Sequence, residues 1–271
     1  MEENKSIHIY VCEDQIESIF TAVYDAWSSG YGHQYNRILV GPILNFELFA
    51  KYITVTADAE KSRKVTNSIK KKIGEEAYTG VYDMAISNRE DKAEVIYRFL
   101  ILGFHYGHKV MNYLSNDYVS AITKTMKTVW NETHHYYGFV RFSELSNGIL
   151  MSQIRPKNNI LTLIAPHFAD RLQQENFMII DEGRQIAVVH PAHKKWFMVA
   201  LSMIDPRLIE EHSKKEETMS NAWSVFVESI SIKERENYNL QRNMLPIRFR
   251  EYMPEFQEEK NNGITESGME Y

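Results

Sequence analysis

GFVRFSELSNGILMSQI, Gly138–Ile154, is the stretch on which the fold class turns. Its centre, Ser146-Asn147-Gly148, is a strong hairpin signal, because tight hairpin turns need the positive φ that Asn and Gly accept. Before the turn, Val140 and Phe142 share one strand face, and Phe139 and Arg141 share the other. Gly138 reads as the bend from a preceding helix into the first strand. After the turn, ILMSQI supplies the second strand.

Downstream the strand signals continue. Pro156-Lys157-Asn158-Asn159 reads as a turn and ILTLIA, Ile160–Ala165, as a third strand. Pro166, a residue suited to the first helical position, then opens a short helix, HFADRLQQ. FMIID, the turn Glu182-Gly183 and QIAVV form a second hairpin, and WFMVAL adds a last strand. Strands joined by such short turns imply an antiparallel sheet.

Upstream the period is helical. Ile7, Ile9 and Val11 alternate as a half-buried strand, and Tyr52–Ala57 is a second. Between them Asp14 is placed to cap a helix whose apolar stripe is Ile16, Ile19, Phe20, Val23 and Trp27. Asp58 is the N-cap of the next helix, Val65, Ile69 and Ile73 its buried face, and Gly74 its stop. Helices follow at about Glu75–Ser87, Lys92–Leu114 and Tyr118–His134. A further helix is expected at about Glu217–Ile232, then an arm rich in Arg and Met, NLQRNMLPIRFREYMPEF. The fold class is therefore α+β: a helical N-terminal half packed with an antiparallel sheet formed largely by the C-terminal half. The boundaries are one domain over 1–256 (helical part about 13–135, sheet part about 136–204, C-terminal helix and arm 217–256) and a flexible polar tail over 257–271.

The 271 residues, 44% hydrophobic and 12% aromatic, supply ample core for such a domain. A net charge of -5 argues against a generally basic nucleic-acid binder and leaves local patches as the route to phosphate. Cys12 is the one cysteine, so no intrachain disulfide forms and no iron–sulfur cluster can be held by thiolates of this chain. The N-terminus lacks the pattern of a signal peptide. The apolar run Val95–Phe104 is too short to span a bilayer and contains Arg98. A cytoplasmic protein, not a membrane one, is expected.

No G-x-G-x-x-G, P-loop, G-x-S-x-G or paired C-x-x-C occurs, so nucleotide hydrolysis, a Rossmann cofactor, an esterase and a zinc ribbon have no motif here. His105/His108 and His190/His193 have H-x-x-H spacing, but no Cys, Asp or Glu stands at a recognised ligand spacing; neither a metal nor a cofactor is expected. His190-Pro191 resembles the strand-ending His-Pro loop of uracil-DNA glycosylases, without their Gly-rich partner motif; a plain turn accounts for it. LIAPHFADRLQQE is sharper. A helix opening at Pro166 would offer free amides, with His167 and Arg171 on one face and Asp170 beside them, which suits a phosphate or carboxylate. A local Asp170 contact that merely fixes the helix is the competing reading. The Lys61–Lys72 helix could follow a phosphate backbone or be a solvated face. Arg242, Arg248 and Arg250, grouped with Met244, Phe249 and Tyr252, suit an interface or a packed arm.

Eight segments together, TAVYDAW, VTADAEKSRKV, KKIGEEA, ILGFHYG, ETHHYYGFVRFSEL, LIAPHFADRLQQENFMIID, GRQIAVVH and NMLPIRFREYMPEF, resemble a bacterial family of unknown function, DUF4130, linked to DNA metabolism or DNA repair. They cover most of the chain in the family's order. The resemblance implies a partner, a radical SAM DNA modification or repair protein. It also implies kinship with domains fused to uracil-DNA glycosylase-like domains in some bacteria. Glu132, His134, Gly138, Phe139, Arg141 and Phe142 match the family pattern, as do Pro166, His167, Phe168, Arg171, Asp181, Arg184, Pro246, Arg248 and Phe249. His135 stands where an Arg is expected, and Phe177 where a Trp is common.

The leading expectation is an accessory protein of DNA metabolism that binds nucleic acid, a radical SAM partner, or both. Its surface would use Arg141, His167, Arg171, Arg184 and Arg248, with His134 alongside. A nuclease or glycosylase-like enzyme would instead use His134 or His167 as acid or base, oriented by Asp170 or Asp181. A structural interaction module would leave these residues scattered and locally paired.

Overall fold

The structure, a computed structural model, describes residues 6–43, 45–206 and 237–256, with scattered positions from Glu216 to Ser229. It divides into two units. The first is Met1–Asn131 with Lys157–Asn159; the second is Glu132–Pro156 with Ile160–Tyr271.

The first unit contains a parallel sheet of three strands in the order β2-β1-β3: β1 is Ile7–Cys12, β2 is Asn36–Val40 and β3 is Ala50–Thr54. The helices are α1 (Ile16–Ser28), α2 (Ala59–Lys72), α3 (Glu75–Ile86), α4 (Lys92–Tyr106) and α5 (Asp117–Phe139), which belongs to this unit as far as Asn131. Central β1 is flanked by a strand on each side, and Ile9, Tyr10 and Cys12 are buried. The N-cap expected at Asp58 is present: its carboxylate accepts from the amides of Glu60 at 2.8 Å and Lys61 at 3.0 Å. Gly74 ends α2 with φ +115°. A Cβ there would lie 2.8 Å from Nδ1 of His108. Asp14 does not cap α1; Gln15 holds that position, and Asp14 forms an ion pair with the buried Lys92. That buried ammonium, which also donates to the Ser87 carbonyl at 2.8 Å, needs a counter-charge more than the helix end needs a cap.

The second unit contains a five-stranded sheet in the order β4-β5-β6-β7-β8: Ser143–Glu144, Leu150–Ile154, Phe177–Asp181, Ile186–His190 and Phe197–Ala200. Both expected hairpins are there, and pairing is antiparallel except between β5 and β6, which run parallel. The third strand expected at Ile160–Ala165 is instead the start of a helix, α6 (Leu161–Arg171). Leu161, Ile164, Ala165 and Phe168 are its buried residues, a three-and-four spacing. The helix explains the parallel pair, because a crossover returns the chain in the same direction.

Two further corrections follow. Pro166 lies inside α6, not at its opening. The bend expected at Gly138 comes later, since α5 continues through Phe139 and β4 is only two residues long. The Arg141 guanidinium holds that end, donating to the carbonyls of Gly138 at 2.9 Å and Val140 at 3.4 Å. The class remains α+β. The C-terminal arm forms two short helices, α7 (Tyr238–Met244) and α8 (Ile247–Arg250), with Phe249 and Met253 buried. The helix expected at Glu217–Ile232 and the tail from 257 lie largely or wholly outside the described residues. Among the described residues no helix is long and apolar enough to cross a membrane.

Candidate nucleic-acid interface

The second unit brings together the end of α5 and the face of α6. His134 is exposed on α5, and Tyr137 follows at i+3, with ring centroids 6.2 Å apart at 73°. Tyr137 stacks on His167 of α6 at 4.2 Å and 24°. The Tyr137 hydroxyl donates to the Leu163 carbonyl at 3.3 Å, one turn before His167, which fixes the ring over α6. His167 Nε2 is shielded and has no hydrogen-bond partner. Arg171 stands at i+4 from His167 on the same helix face, exposed, with no ion pair or hydrogen bond among the described residues. His134, Tyr137, His167 and Arg171 thus make one strip of rings ending in a free guanidinium.

The other candidate arginines are engaged inside the unit. Arg141 pairs with Glu255 at 3.1 Å. Arg184 pairs with Asp181 at 2.9 Å and donates to the Pro156 carbonyl at 3.1 Å. Asp181 is fully buried, so Arg184 is its counter-charge. Arg248 lies 3.4 Å from Glu132 and covers the Phe249 ring at 4.6 Å. Three of the four expected anion-binding arginines therefore neutralise carboxylates of their own unit. Asp170 is exposed and accepts from Gln173 at 3.3 Å. The free amides expected around Pro166 and His167 do not exist, because both residues are inside α6.

The same unit holds further polar contacts that no motif announced, of which Tyr136 is buried and Tyr252 and Glu182 are half-buried. Tyr136 is 4% exposed. Burial first, and then the Glu132 carboxylate, push its phenol well above the usual range. Tyr252 donates to Glu182 at 2.5 Å, and Arg155 reaches the same carboxylate at 3.1 Å. Burial, the cation of Arg248 and neighbouring His134 lower the pKa of His135, which stacks on Phe139 at 5.6 Å. His135 is thus harder to protonate than an ordinary histidine, which disfavours a second charge beside His134.

The remaining histidines are dispersed. His190 is buried, stacked on Phe177 at 4.7 Å, with Nδ1 3.1 Å from the Glu175 carbonyl. His105 and His108 are both exposed. Among the described residues no three His, Cys, Asp or Glu side chains are grouped to hold a metal. On α2, Lys61 pairs with Asp25 at 2.7 Å, Lys64 with Glu60 at 2.9 Å and Lys70 with Glu75 at 3.2 Å, whereas Arg63, Lys71 and Lys72 form no ion pair among the described residues.

A family model described as a domain of unknown function, DUF4130, matches residues 90–255. The chain belongs to the DUF4130 family. The match takes in α4, α5 and every described element of the second unit but the last residue, so the whole strip is part of the DUF4130 region. No curated protein sequence matches. A solved structure titled a member of the s1p family of ribosomal proteins, DHH domain, is 9% identical. Its likeness covers 69% of this chain and 74% of that one, with a TM-score of 0.31, and carries no argument. Tyr137 is the strip residue that motif reading missed; its signal was an aromatic at i+3 from His134 on a helix that runs one turn longer than expected.

Proposed function

We propose that this DUF4130 protein is a non-catalytic accessory protein of DNA metabolism. It binds single-stranded nucleic acid through the strip and works beside a radical SAM partner. The observation that carries the binding reading is the Tyr137–His167 stack flanked by His134 and by Arg171, which has no partner among the described residues. Single strands are bound by rings on which bases stack and by cations that follow the backbone. A net charge of -5 confines such binding to a local patch and makes it sensitive to salt. The carboxylates that a histidine base would use, Asp170 and Asp181, are bonded to Gln173 and Arg184, which favours binding over acid–base catalysis. The radical SAM partner rests on what the resemblance in sequence implies.

The test is fluorescence-anisotropy titration with a single-stranded oligonucleotide across a salt series. Arg171→Ala is expected to lower the salt slope by about one counterion, and Tyr137→Ala to weaken binding roughly tenfold. A pull-down from cells co-expressing a radical SAM protein tests the partner. No binding at low salt, together with no co-purification, overturns the proposal.

A further inference from the structure

The first unit holds a cavity of about 370 Å³ lined by α1, α2 and the end of α4, separate from the strip. Buried Val23 and Val65 give it an apolar floor. Tyr24, Trp27 and Phe104 are its aromatic walls, and Trp27 meets Phe104 edge to face at 5.1 Å and 70°. Ser28, Ser68 and two lysines of α2 complete the lining. Lys64 is 5.9 Å from the Tyr24 ring and already paired with Glu60. Lys72 is 5.7 Å from the Phe104 ring and has no carboxylate partner among the described residues.

Each part selects a ligand property. The floor and the two crossed rings favour a flat, weakly hydrated ring system. The uncompensated ammonium favours an anion held just outside the ring plane. The volume suits a small molecule, being near the lower end of about 300–1,000 Å³ for ligand pockets. A sugar phosphate lacks the ring, and a neutral aromatic lacks the anion. We propose that this cavity binds one nucleotide, its base against Trp27 and Phe104 and its phosphate on Lys72. The site deepens the nucleic-acid reading above, from which it is experimentally separable. The nucleotide comes either from an unpaired position of a strand or from the free pool.

The test is isothermal titration calorimetry of the full chain with dAMP. Saturable binding is expected, weakened about tenfold in Trp27→Leu and in Lys72→Ala, with adenine and ribose 5-phosphate each competing poorly. Lys72 is exposed, so Lys72→Ala is expected to unfold at the wild-type temperature; this keeps the test valid if Trp27→Leu is poorly folded. dAMP binding that survives in Arg171→Ala supports the cavity even if the strip binds no strand. Displacement of dAMP by a single-stranded oligonucleotide identifies a strand as the source, and its absence identifies the free nucleotide. Absence of saturable dAMP binding, equal affinity in Lys72→Ala, or ribose 5-phosphate competing as well as dAMP overturns the proposal.

Discussion

Glu132 on α5 and Arg248 on α8 are joined by an ion pair of 3.4 Å that ties the C-terminal arm to the end of the long helix. Glu132 is 3% exposed, whereas the Arg248 side chain is 38% exposed. The buried partner depends on the pair more than the exposed one does, because a carboxylate without a counter-charge is costly to keep from water.

Arg248→Met should therefore destabilise the protein by about 1–3 kcal/mol, less than a fully buried pair would lose, since solvent screens the guanidinium. Adding Glu132→Leu should recover part of that loss. Urea denaturation of the two single variants and the double variant reads the coupling. A cost in Arg248→Met that Glu132→Leu leaves unchanged would mean that the pair is not what holds the arm.

Asp83 on α3 is 8% exposed, and burial pushes its carboxyl up to about 6. Below the ordinary carboxylate value both the folded and unfolded chains hold the proton. As pH rises towards 6 the unfolded chain releases it first, so stability falls with rising pH over that window and is flat above it. Asp83→Asn should raise stability at pH 8 by as much as roughly 3 kcal/mol, with the gain shrinking towards pH 4. Thermal unfolding at the two pH values checks it; an equal gain at both would exclude titration as the cause.

His135 has the opposite sign. Its pKa is lowered by burial, by Arg248 and by His134, so in acid the unfolded chain takes up the proton before the folded one. Its contribution is full above the ordinary histidine value and is lost as pH falls below it. His135→Phe should flatten the decline in unfolding midpoint between pH 7 and pH 5. A slope as steep as in the wild type would show that other groups carry the acid sensitivity.

Asp58 caps α2 with two amide bonds, which also hold its carboxyl below the usual range, the Lys61 amide foremost. Asp58→Ala should lower the denaturation midpoint without altering the slope, and Asp58→Asn should restore most of it, because the amide oxygen caps as well. The carboxylate's added contribution should disappear as pH falls through its lowered folded value. An alanine variant as stable as wild type at neutral pH would contradict the cap's role.

Features that depend on neighbours in sequence were legible. The cap at Asp58, the stop at Gly74 and the hairpins at Asn147-Gly148 and Glu182-Gly183 each follow from one or two residues whose backbone or side-chain chemistry acts within a few positions. Ile160–Ala165 was not legible, because a six-residue run with five apolar residues fits a buried strand or the buried side of a helix equally well. Only Phe168, in contact with Phe142 at 5.3 Å, reveals the longer helical period. β2 escaped notice for a related reason: Ile38 is paired by its neighbour β1 and by the Glu94 carboxylate, 2.9 Å from its amide, and neither contact is written in NRILV itself.

The strip divides the same way. The sequence by itself determined that His134, His167 and Arg171 are present, that His167 and Arg171 would share a helix face, and that the net charge of -5 argues against general affinity for phosphate. Tertiary structure decided which of those charges remain available. Arg141, Arg184 and Arg248 are each within reach of a carboxylate distant in fold position or held rigid beside them, whereas Arg171 meets none among the described residues. A cation's type is fixed by the chain, but its freedom to bind a ligand is set by the nearest opposite charge, and that distance exists only once the chain has folded.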